Sequence, residues 1–354
     1  MSELALSVLD LIPVRTGQTS ADAVAATVAL AERADALGYR RYWLGEHHNM
    51  RSVAATNPPV LIGLLTGRTR RMRLGSGGIM LPNYDPFVVA EQFAALEAAA
   101  PGRIDIGIGR APGSDPVITA LLRSEGHTSD VEHHPSHIGD IQALVSPSGA
   151  AVRLGSGGTQ AVRATPAAAS SPEFWLLGSS DYSAELAGRM GLPYAFAHHF
   201  SGKDTERLLD LYRSRFTASE HLAEPRALIT ANAVVADDAE EAMRLALPQF
   251  HYMSQLLTGA PLDVFTTVEG AARARMTAEQ QGIVDEALGN AFIGEADEVA
   301  EGLTALARRT GVDELMLIPA ATGRDADPAD RAPGRERTLE LLAARLLQRE
   351  SVAA

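Results

Sequence analysis

The stretch that decides the fold is Leu4-Ala-Leu-Ser-Val-Leu-Asp10, followed by the amphipathic segment 20–37 and then by Tyr42-Trp-Leu-Gly45. The two short apolar runs are typical of buried strands. Segment 20–37 has helical spacing, with Ser20 as the predicted N-cap and Gly38 just past the helix end. A strand, a helix and a second strand in this order predict a parallel α/β unit.

The same alternation continues along the chain. Segments 58–66 and 86–100 are predicted helices, and the remaining predicted strands are 72–81, 104–108, 174–177, 194–197, 227–235 and 315–318. Eight strands separated by helices predict an α/β fold of the (β/α)₈ TIM-barrel type, for which ~250 residues are typical. A doubly wound open sheet would need a G-x-G-x-x-G turn after the first strand, and residues 10–17 do not have one.

The chain has 354 residues, more than such a barrel needs. We therefore predict one domain over residues 1–354, with insertions near 124–152 and 247–294. The first insertion is rich in histidine; it contains His127, His133, His134 and His137.

Composition excludes several classes of protein. The chain has no cysteine, so disulfides, thiolate metal sites and thiol nucleophiles are excluded. A formal net charge of −13 disfavours nucleic-acid binding, because phosphate backbones attract basic surfaces. No apolar run reaches the ~18 residues of a membrane span, and the first residues lack the basic start of a secretion signal. We therefore expect a cytoplasmic protein with no membrane or nucleic-acid partner.

Polar residues directly follow the second strand, in the run Glu46-His47-His48-Asn49. Active sites of (β/α)₈ barrels lie at the carboxyl ends of the strands. Histidine is suited to proton transfer near neutral pH, so this run is the candidate acid/base group. A hydrogen-bonded structural cluster is the alternative.

Glycines interrupt the third strand at Gly75, Gly77 and Gly78. Glycine inside a strand marks a bulge, an unusual peptide or close approach of a ligand to the backbone. Packing against a bulky neighbour explains the same residues equally well.

Two further strand ends have features that bind anions. Arg110 follows the fourth strand and is flanked by Gly109, a combination suited to clamping an anion; a surface salt bridge is the alternative. The fifth strand ends in Gly178-Ser-Ser-Asp-Tyr-Ser183, just before a predicted helix whose free N–H groups could bind phosphate. Simple N-capping is the alternative for the serines, but the two neighbouring features together indicate one phosphorylated ligand.

His198-His199 after the sixth strand raises a metal-dependent hydrolase as an alternative. Barrel metal hydrolases place alternating His-x-His residues on an early strand so that both side chains face inward. The adjacent pair here points its two side chains to opposite sides, so we predict no metal site.

These motifs together resemble the bacterial luciferase-like, flavin-dependent monooxygenases. The resemblance spans nearly the whole chain and keeps the family's order; its blocks are GYRRYWLGEHH (38–48), LGSGGIMLP (74–82), PGRIDIGIGRAPG (101–113), LLGSS (176–180) with GLP (191–193), and GVDELM (311–316).

The resemblance implies specific roles for individual residues. It implies that His47, with Glu46 or His48 setting its tautomer, is the catalytic acid/base, and that Gly77-Gly78 is a non-proline cis peptide beside the flavin ring. The implied cofactor-binding residues are Gly77, Gly78, Gly109, Arg110, Leu177, Gly178, Ser179, Ser180 and Ser183. Two positions depart from the family: Gly109 stands where luciferase has a reactive cysteine, and Gly45 replaces a larger apolar residue.

The implied reaction uses reduced FMN and O₂, through a peroxide at ring atom C4a, to oxidise a small organic substrate. Because no nucleotide-binding fingerprint is present, we expect a separate flavin reductase to supply reduced FMN. The family also implies a homodimer. Two alternatives stay open: a deazaflavin-dependent enzyme that transfers hydride on the same barrel, and a flavin-binding protein without catalysis.

Overall fold

The computed structural model describes residues 4–111, 113, 115–122 and 132–347. Its strands are β1 (Ala5–Asp10), β2 (Arg41–Leu44), β3 (Arg73–Ser76), β4 (Ile79–Met80), β5 (Ile104–Gly109), β6 (Ala150–Arg153), β7 (Thr159–Val162), β8 (Glu173–Gly178), β9 (Tyr194–Phe196), β10 (Ala227–Ala236), β11 (Phe292–Glu295) and β12 (Glu314–Pro319). Its helices are α1 (Ser20–Leu37), α2 (Pro58–Thr66), α3 (Pro86–Ala99), α4 (Pro116–Leu122), α5 (His134–Val145), α6 (Asp181–Met190), α7 (Thr205–Arg215), α8 (Ala239–Leu257), α9 (Val268–Arg273), α10 (Ala278–Gly289), α11 (Ala296–Thr310) and α12 (Pro333–Leu346).

Within the described part of the chain, eight parallel strands close into a barrel in the order β1, β2, β3, β5, β8, β9, β10, β12. Closure is made by β12, which pairs in parallel with both β10 and β1. Strand β4 extends the third position by pairing with β5. The predicted (β/α)₈ barrel is confirmed, and its eight strands overlap the eight that the sequence predicts.

The barrel interior is filled by large side chains at mid-height. The rings of Trp43 and Trp175 meet edge to face, with centroids 5.6 Å apart. Leu9, Leu228 and Met316 pack around them in the same buried cluster. The barrel is therefore a packed core below its mouth, as is usual for this fold.

An ionic network closes the amino-terminal end of the barrel. Arg41 donates to Asp105 at 2.9 Å and to Glu314 at 2.8 Å, and all three side chains are buried. The indole N–H of Trp43 donates to the same carboxylate of Asp105 at 2.9 Å. A ligand that enters the barrel must therefore come from the opposite, carboxyl end.

The N-cap of the first helix lies one residue earlier than predicted. Thr19 is the N-cap, and its hydroxyl accepts from the backbone N–H of Asp22, while the Asp22 carboxylate accepts from Thr19. Ser20 is the first helical residue, so its assignment as N-cap is wrong. Both residues carry a hydroxyl group, and only the backbone angles decide which one caps the helix. Gly38 ends the helix with φ of 91°, as predicted.

The described part of the first predicted insertion, 124–152, is not a simple loop. Residues 124–131, including His127, lie outside the described residues. From His134 onward the segment forms α5, whose Ile138, Ile141 and Leu144 are buried in the main core. The chain then continues into the exposed antiparallel hairpin of β6 and β7.

The second predicted insertion, 247–294, contains most of α8 together with α9 and α10. These helices share a small apolar cluster with the ends of β10 and β12, which includes Phe250, Val268, Val284 and Ala320. None of the described helices has the length and apolar character required to cross a membrane.

Candidate active site

Side-chain alternation along the strands defines which residues face the barrel mouth. Trp43 and Leu228 point into the interior, and strand side chains alternate between two faces. Thr230, two residues after Leu228, therefore points inward one layer higher. Gly45 and His47 follow Trp43 at intervals of two residues, so the same alternation places them on the side of the mouth.

Glu46 is fully buried and joins three elements of the mouth. Its carboxylate accepts from His48 Nε2 at 2.7 Å, from the Tyr84 hydroxyl at 3.0 Å and from the backbone N–H of Met80 at 3.0 Å. Burial raises the pKa of Glu46, although these three donors oppose the shift. The carboxylate therefore fixes the segment after β2 against the segment after β3, and Tyr84 is a partner that sequence reasoning missed.

His47 differs from its neighbours because its ring has no partner at one nitrogen. Its Nδ1 atom is buried without a hydrogen bond among the described residues. Burial, and then the electrostatic effect of the neighbouring His48, lower the pKa of His47 below 6.5. The imidazole is therefore neutral at pH 7 and is able to accept a proton.

The two histidines after β9 occupy different environments, as their adjacency predicts. His198 is buried with its Nδ1 atom 2.8 Å from the Thr205 hydroxyl. His199 places its Nδ1 atom 2.5 Å from the hydroxyl of Thr230, over the barrel interior. Burial, followed by the charges of His198 and His47, lowers the pKa of His199 to about 3. Sequence reasoning treated His199 only as a metal ligand and missed its place at the mouth.

The described residues contain no cluster of three or more groups that could hold a metal ion. In the histidine-rich segment, the rings of His133 and His137 lie 6.0 Å apart on α5. His134 is buried, and burial together with the charge of Arg110 lowers its pKa to about 4.

Packing leaves no room for a side chain at Gly75 in β3 or at Gly77 just after it. A methyl group at Gly77 would overlap the side chain of Leu9, and one at Gly75 would lie 2.7 Å from the indole nitrogen of Trp43. Packing against bulky neighbours, one of the explanations that the sequence left open, therefore accounts for Gly75 and Gly77, and the predicted unusual peptide is present as well. The Gly77–Gly78 peptide bond is cis, as the family resemblance implies.

Arg110 and the start of α6 lie together on one rim of the mouth. Strands β5 and β8 are paired neighbours, so the loops that follow them are adjacent. The guanidinium carbon of Arg110 lies 4.1 Å from the ring centroid of Tyr182, in the first turn of α6. Ser179 and Ser180 are exposed beside it. This combination of a cation, hydroxyls and helix N–H groups suits a phosphate.

Ser183 does not share this exposure. It is buried, its hydroxyl donates to the carbonyl of Ser180 at 2.8 Å, and its oxygen lies 3.1 Å from the Tyr194 hydroxyl. A side chain at Gly178 would overlap Ser183. The structure therefore gives Ser183 and Gly178 a role in shaping the loop. Ser180 is the N-cap of α6, because its hydroxyl accepts from the backbone N–H of Ser183, so the N-capping alternative holds for this residue, and Ser179 is exposed beside it.

Comparison with known proteins identifies the family. The sequence pattern of the luciferase-like monooxygenases matches residues 4–314. An uncharacterized protein of Bacillus subtilis, YvbT, is 41% identical over 312 residues, covering 88% of this chain and 90% of its own. A protein of Escherichia coli named luciferase-like monooxygenase is 38% identical over 314 residues, covering 89% and 91%.

Solved structures agree on the fold. The structure of apo-MsnO8 has a TM-score of 0.80 at 30% identity, covering 97% of this chain and 99% of its own. The oxygenating component of 3,6-diketocamphane monooxygenase from Pseudomonas putida, in complex with FMN, has a TM-score of 0.71 at 18% identity, covering 98% of both chains. An F420-dependent secondary alcohol dehydrogenase with an F420-acetone adduct has a TM-score of 0.62 at 15% identity, covering 96% and 99%. The chain therefore belongs to the luciferase-like monooxygenases, and the protein is an oxidoreductase on a (β/α)₈ barrel.

Proposed function

We propose that the protein is a monooxygenase that uses reduced FMN and O₂ to oxidise a small organic substrate. The observation that carries this proposal is the position of Arg110 beside α6, on the rim of a mouth that also holds a neutral His47. One site above the barrel interior thus contains both residues suited to binding a phosphate and a residue suited to accepting a proton. The FMN-bound neighbour shows that the same fold accommodates this cofactor.

The residues at the mouth fit FMN. Its phosphate would lie against Arg110, Ser179, Ser180 and the first N–H groups of α6. Its ring would lie over the interior, with Leu177 as an apolar wall and the Gly77–Gly78 peptide at its side. Leu177 is partly buried and packs on the cluster of interior side chains, so it presents an apolar surface there.

Reduced FMN, when bound, supplies the electrons that activate O₂. The chain itself binds and orients the cofactor, excludes water and moves a proton at His47 Nε2 or Nδ1. Glu46 and His48 position the segment that carries His47, because the buried carboxylate of Glu46 ties this segment to Tyr84 and to the backbone of Met80. Glu46 is in this view a positioning residue.

We also propose that a separate flavin reductase supplies reduced FMN. The test supplies a flavin reductase with NADH and FMN. The reductase is either mixed with the protein or separated from it by a membrane that only small molecules cross. Turnover across the membrane would show that free reduced FMN suffices, whereas turnover with NADH and no reductase would refute a separate supplier.

Replacing Arg110 by glutamine is expected to weaken FMN binding about 10- to 100-fold, because charge-assisted hydrogen bonds contribute ~1.5–3 kcal/mol. Fluorescence titration measures the dissociation constant. Riboflavin, which lacks the phosphate, is the matched ligand control and should bind the wild type and the variant equally. Arg244→Gln, which changes an exposed arginine on α8, is the matched protein control. An equal loss for riboflavin and FMN would contradict the phosphate assignment.

The same titration with the deazaflavin F420 separates the two candidate reactions. We expect FMN to bind more tightly, and the reduced FMN complex to consume O₂. Selective binding of F420 without oxygen consumption would instead assign the protein to hydride transfer, and tight FMN binding without turnover of any substrate class would favour a flavin-binding protein.

We propose that the protein forms a homodimer through α2 and α3. These two helices pack side by side and expose four apolar side chains: Val60, Leu64, Phe87 and Val88. Val60 and Leu64 are four residues apart and so lie on one face of α2. Several exposed apolar side chains on two neighbouring helices are typical of an interaction surface.

Leu64→Glu is expected to convert the dimer to a monomer, because it would bury a charge in an apolar interface. Light scattering after size-exclusion chromatography measures the mass. Leu257→Glu, at a leucine on α8 that is even more exposed than Leu64, serves as the control and should leave the mass unchanged. A wild-type protein that is monomeric at micromolar concentration would refute the proposal.

A further inference from the structure

Thr230 and Phe196 together fix the hydrogen-bonding state of His199. The Thr230 hydroxyl lies 3.2 Å from the carbonyl oxygen of Phe196, an atom that can only accept a hydrogen bond. The single hydroxyl proton of Thr230 is therefore directed to Phe196. Its oxygen then faces His199 Nδ1, 2.5 Å away, as an acceptor, so the proton of the neutral imidazole is held on Nδ1.

This arrangement leaves Nε2 of His199 as the unprotonated nitrogen. No hydrogen bond to Nε2 is found within the described ranges, and the atom is not among the fully buried polar atoms there. The backbone is held as well, because the Asn232 side-chain amide lies 3.3 Å from the His199 carbonyl. Both Thr230 and Asn232 alternate with Leu228 on the inward face of β10, so the ring lies over the interior.

A positive charge on His47 would act on His199 across the mouth, because the two residues interact electrostatically. The two residues follow β2 and β9, which are on opposite sides of the barrel. The mouth therefore lies between two neutral imidazoles, one from each side.

We propose that His199 Nε2 accepts a hydrogen bond from an N–H or O–H group of the ligand bound in the mouth, and that Thr230 is the positioning residue that presents this acceptor. The proposal deepens the proposed function, on which it rests for the identity of the cofactor. The donor comes from one of two sources, the ring N–H of FMN or a polar hydrogen on the organic substrate. In either case the site favours ligands that carry such a donor. A ligand without one would leave the Nε2 acceptor unpaired in the complex, and an unpaired polar atom costs binding free energy.

Nitrogen NMR of ¹⁵N-histidine-labelled protein tests the assignment without activity. We expect His199 to show a protonated Nδ1 and an unprotonated Nε2, unchanged from pH 8 to pH 5. Thr230→Val removes the acceptor that holds the proton on Nδ1 and should give a mixture of the two tautomers. His199→Phe assigns the signal. A protonated Nε2 in the wild-type protein would overturn the proposal.

Two ligand arms then locate the donor. In the first arm, added FMN should shift the Nε2 signal if the ring N–H is the donor, and His199→Phe should weaken FMN binding about 2- to 10-fold. In the second arm, phenol and acetamide are added with FMN present, and anisole and N,N-dimethylacetamide are the matched probes without a donor. A shift with phenol or acetamide, but not with the matched probes, places the donor on the substrate.

A Nε2 signal that responds in neither arm would refute the proposal. A protein that binds no FMN would refute the proposed cofactor only; the second arm, run on the protein alone, would still decide the role of His199.

Discussion

Replacement of His47 by alanine is expected to lower kcat about 10²- to 10⁴-fold, the usual contribution of a positioned acid or base, while FMN binds as before. The reason is that His47 is a neutral group at the mouth whose buried Nδ1 atom has no hydrogen bond among the described residues, whereas the proposed phosphate-binding residues are Arg110 and the start of α6. Steady-state turnover and an FMN titration on the same sample measure both quantities.

His221→Ala is the matched control, because His221 is exposed and lies beside Glu220 on the surface. Its kcat should equal that of the wild type. Full turnover in His47→Ala with intact FMN binding would remove His47 from the catalytic role.

The pH profile gives a second measure of the same residue. Burial lowers the pKa of His47, so the imidazole is neutral at pH 7 and is protonated only as the pH falls below 6.5. If the neutral form is the base, turnover of the wild type should fall on the acid side with a midpoint below 6.5. His47→Ala should lack this limb of the profile.

Asp10→Ala is expected to destabilise the fold by about 3–5 kcal/mol, because it leaves a buried cation without its partner. The fully buried carboxylate accepts from Arg335 and Tyr42 at 2.6 Å each, and from Thr27 and the N–H of Ile12 at 2.8 Å each. It therefore joins β1 to α1, β2 and α12. Urea unfolding followed by circular dichroism measures the change in the free energy of unfolding.

The exposed ion pair of Asp237 and Arg337 is the matched control. Asp237→Ala should change stability by less than about 1 kcal/mol, because water and salt screen exposed pairs. Equal losses in the two variants would show that burial of the Asp10 pair is energetically irrelevant.

The Asp10 effect should also depend on pH with a definite sign. Burial raises the pKa of Asp10, but Arg335, Tyr42 and the N–H of Ile12 outweigh it and lower the pKa below 3.8. The carboxylate therefore stabilises the fold above its unfolded pKa of about 3.9, and this contribution is lost as the pH falls through the lower folded value. The difference between wild type and variant should be constant near neutrality and shrink below pH 3.8.

The residues that the sequence predicts for the site fall into two groups. Arg110, Ser179 and Ser180 lie on one rim, as adjacent strand ends require, and this adjacency follows from the order of strands in the barrel. Ser183 has the same chemistry but points inward, because its place in the first turn of α6 directs its hydroxyl to the carbonyl of Ser180. Residue type indicates what a side chain can bind, and rotation along the helix decides whether it is exposed.

The sequence by itself determined the eight strands, the ends of α2, the ends of α1 and α3 to within one residue, and the run at Glu46, because these depend on local periodicity and on capping residues. Only the tertiary structure decided that Leu9 and Trp43 leave no room for a side chain at Gly77 and Gly75, and that His199 lies at the mouth. Both features depend on contacts between strands distant in the chain. Pairing of β9 with β10 brings Thr230 next to His199, although the two residues are 31 positions apart in the sequence. No local sequence pattern predicts a contact over that separation.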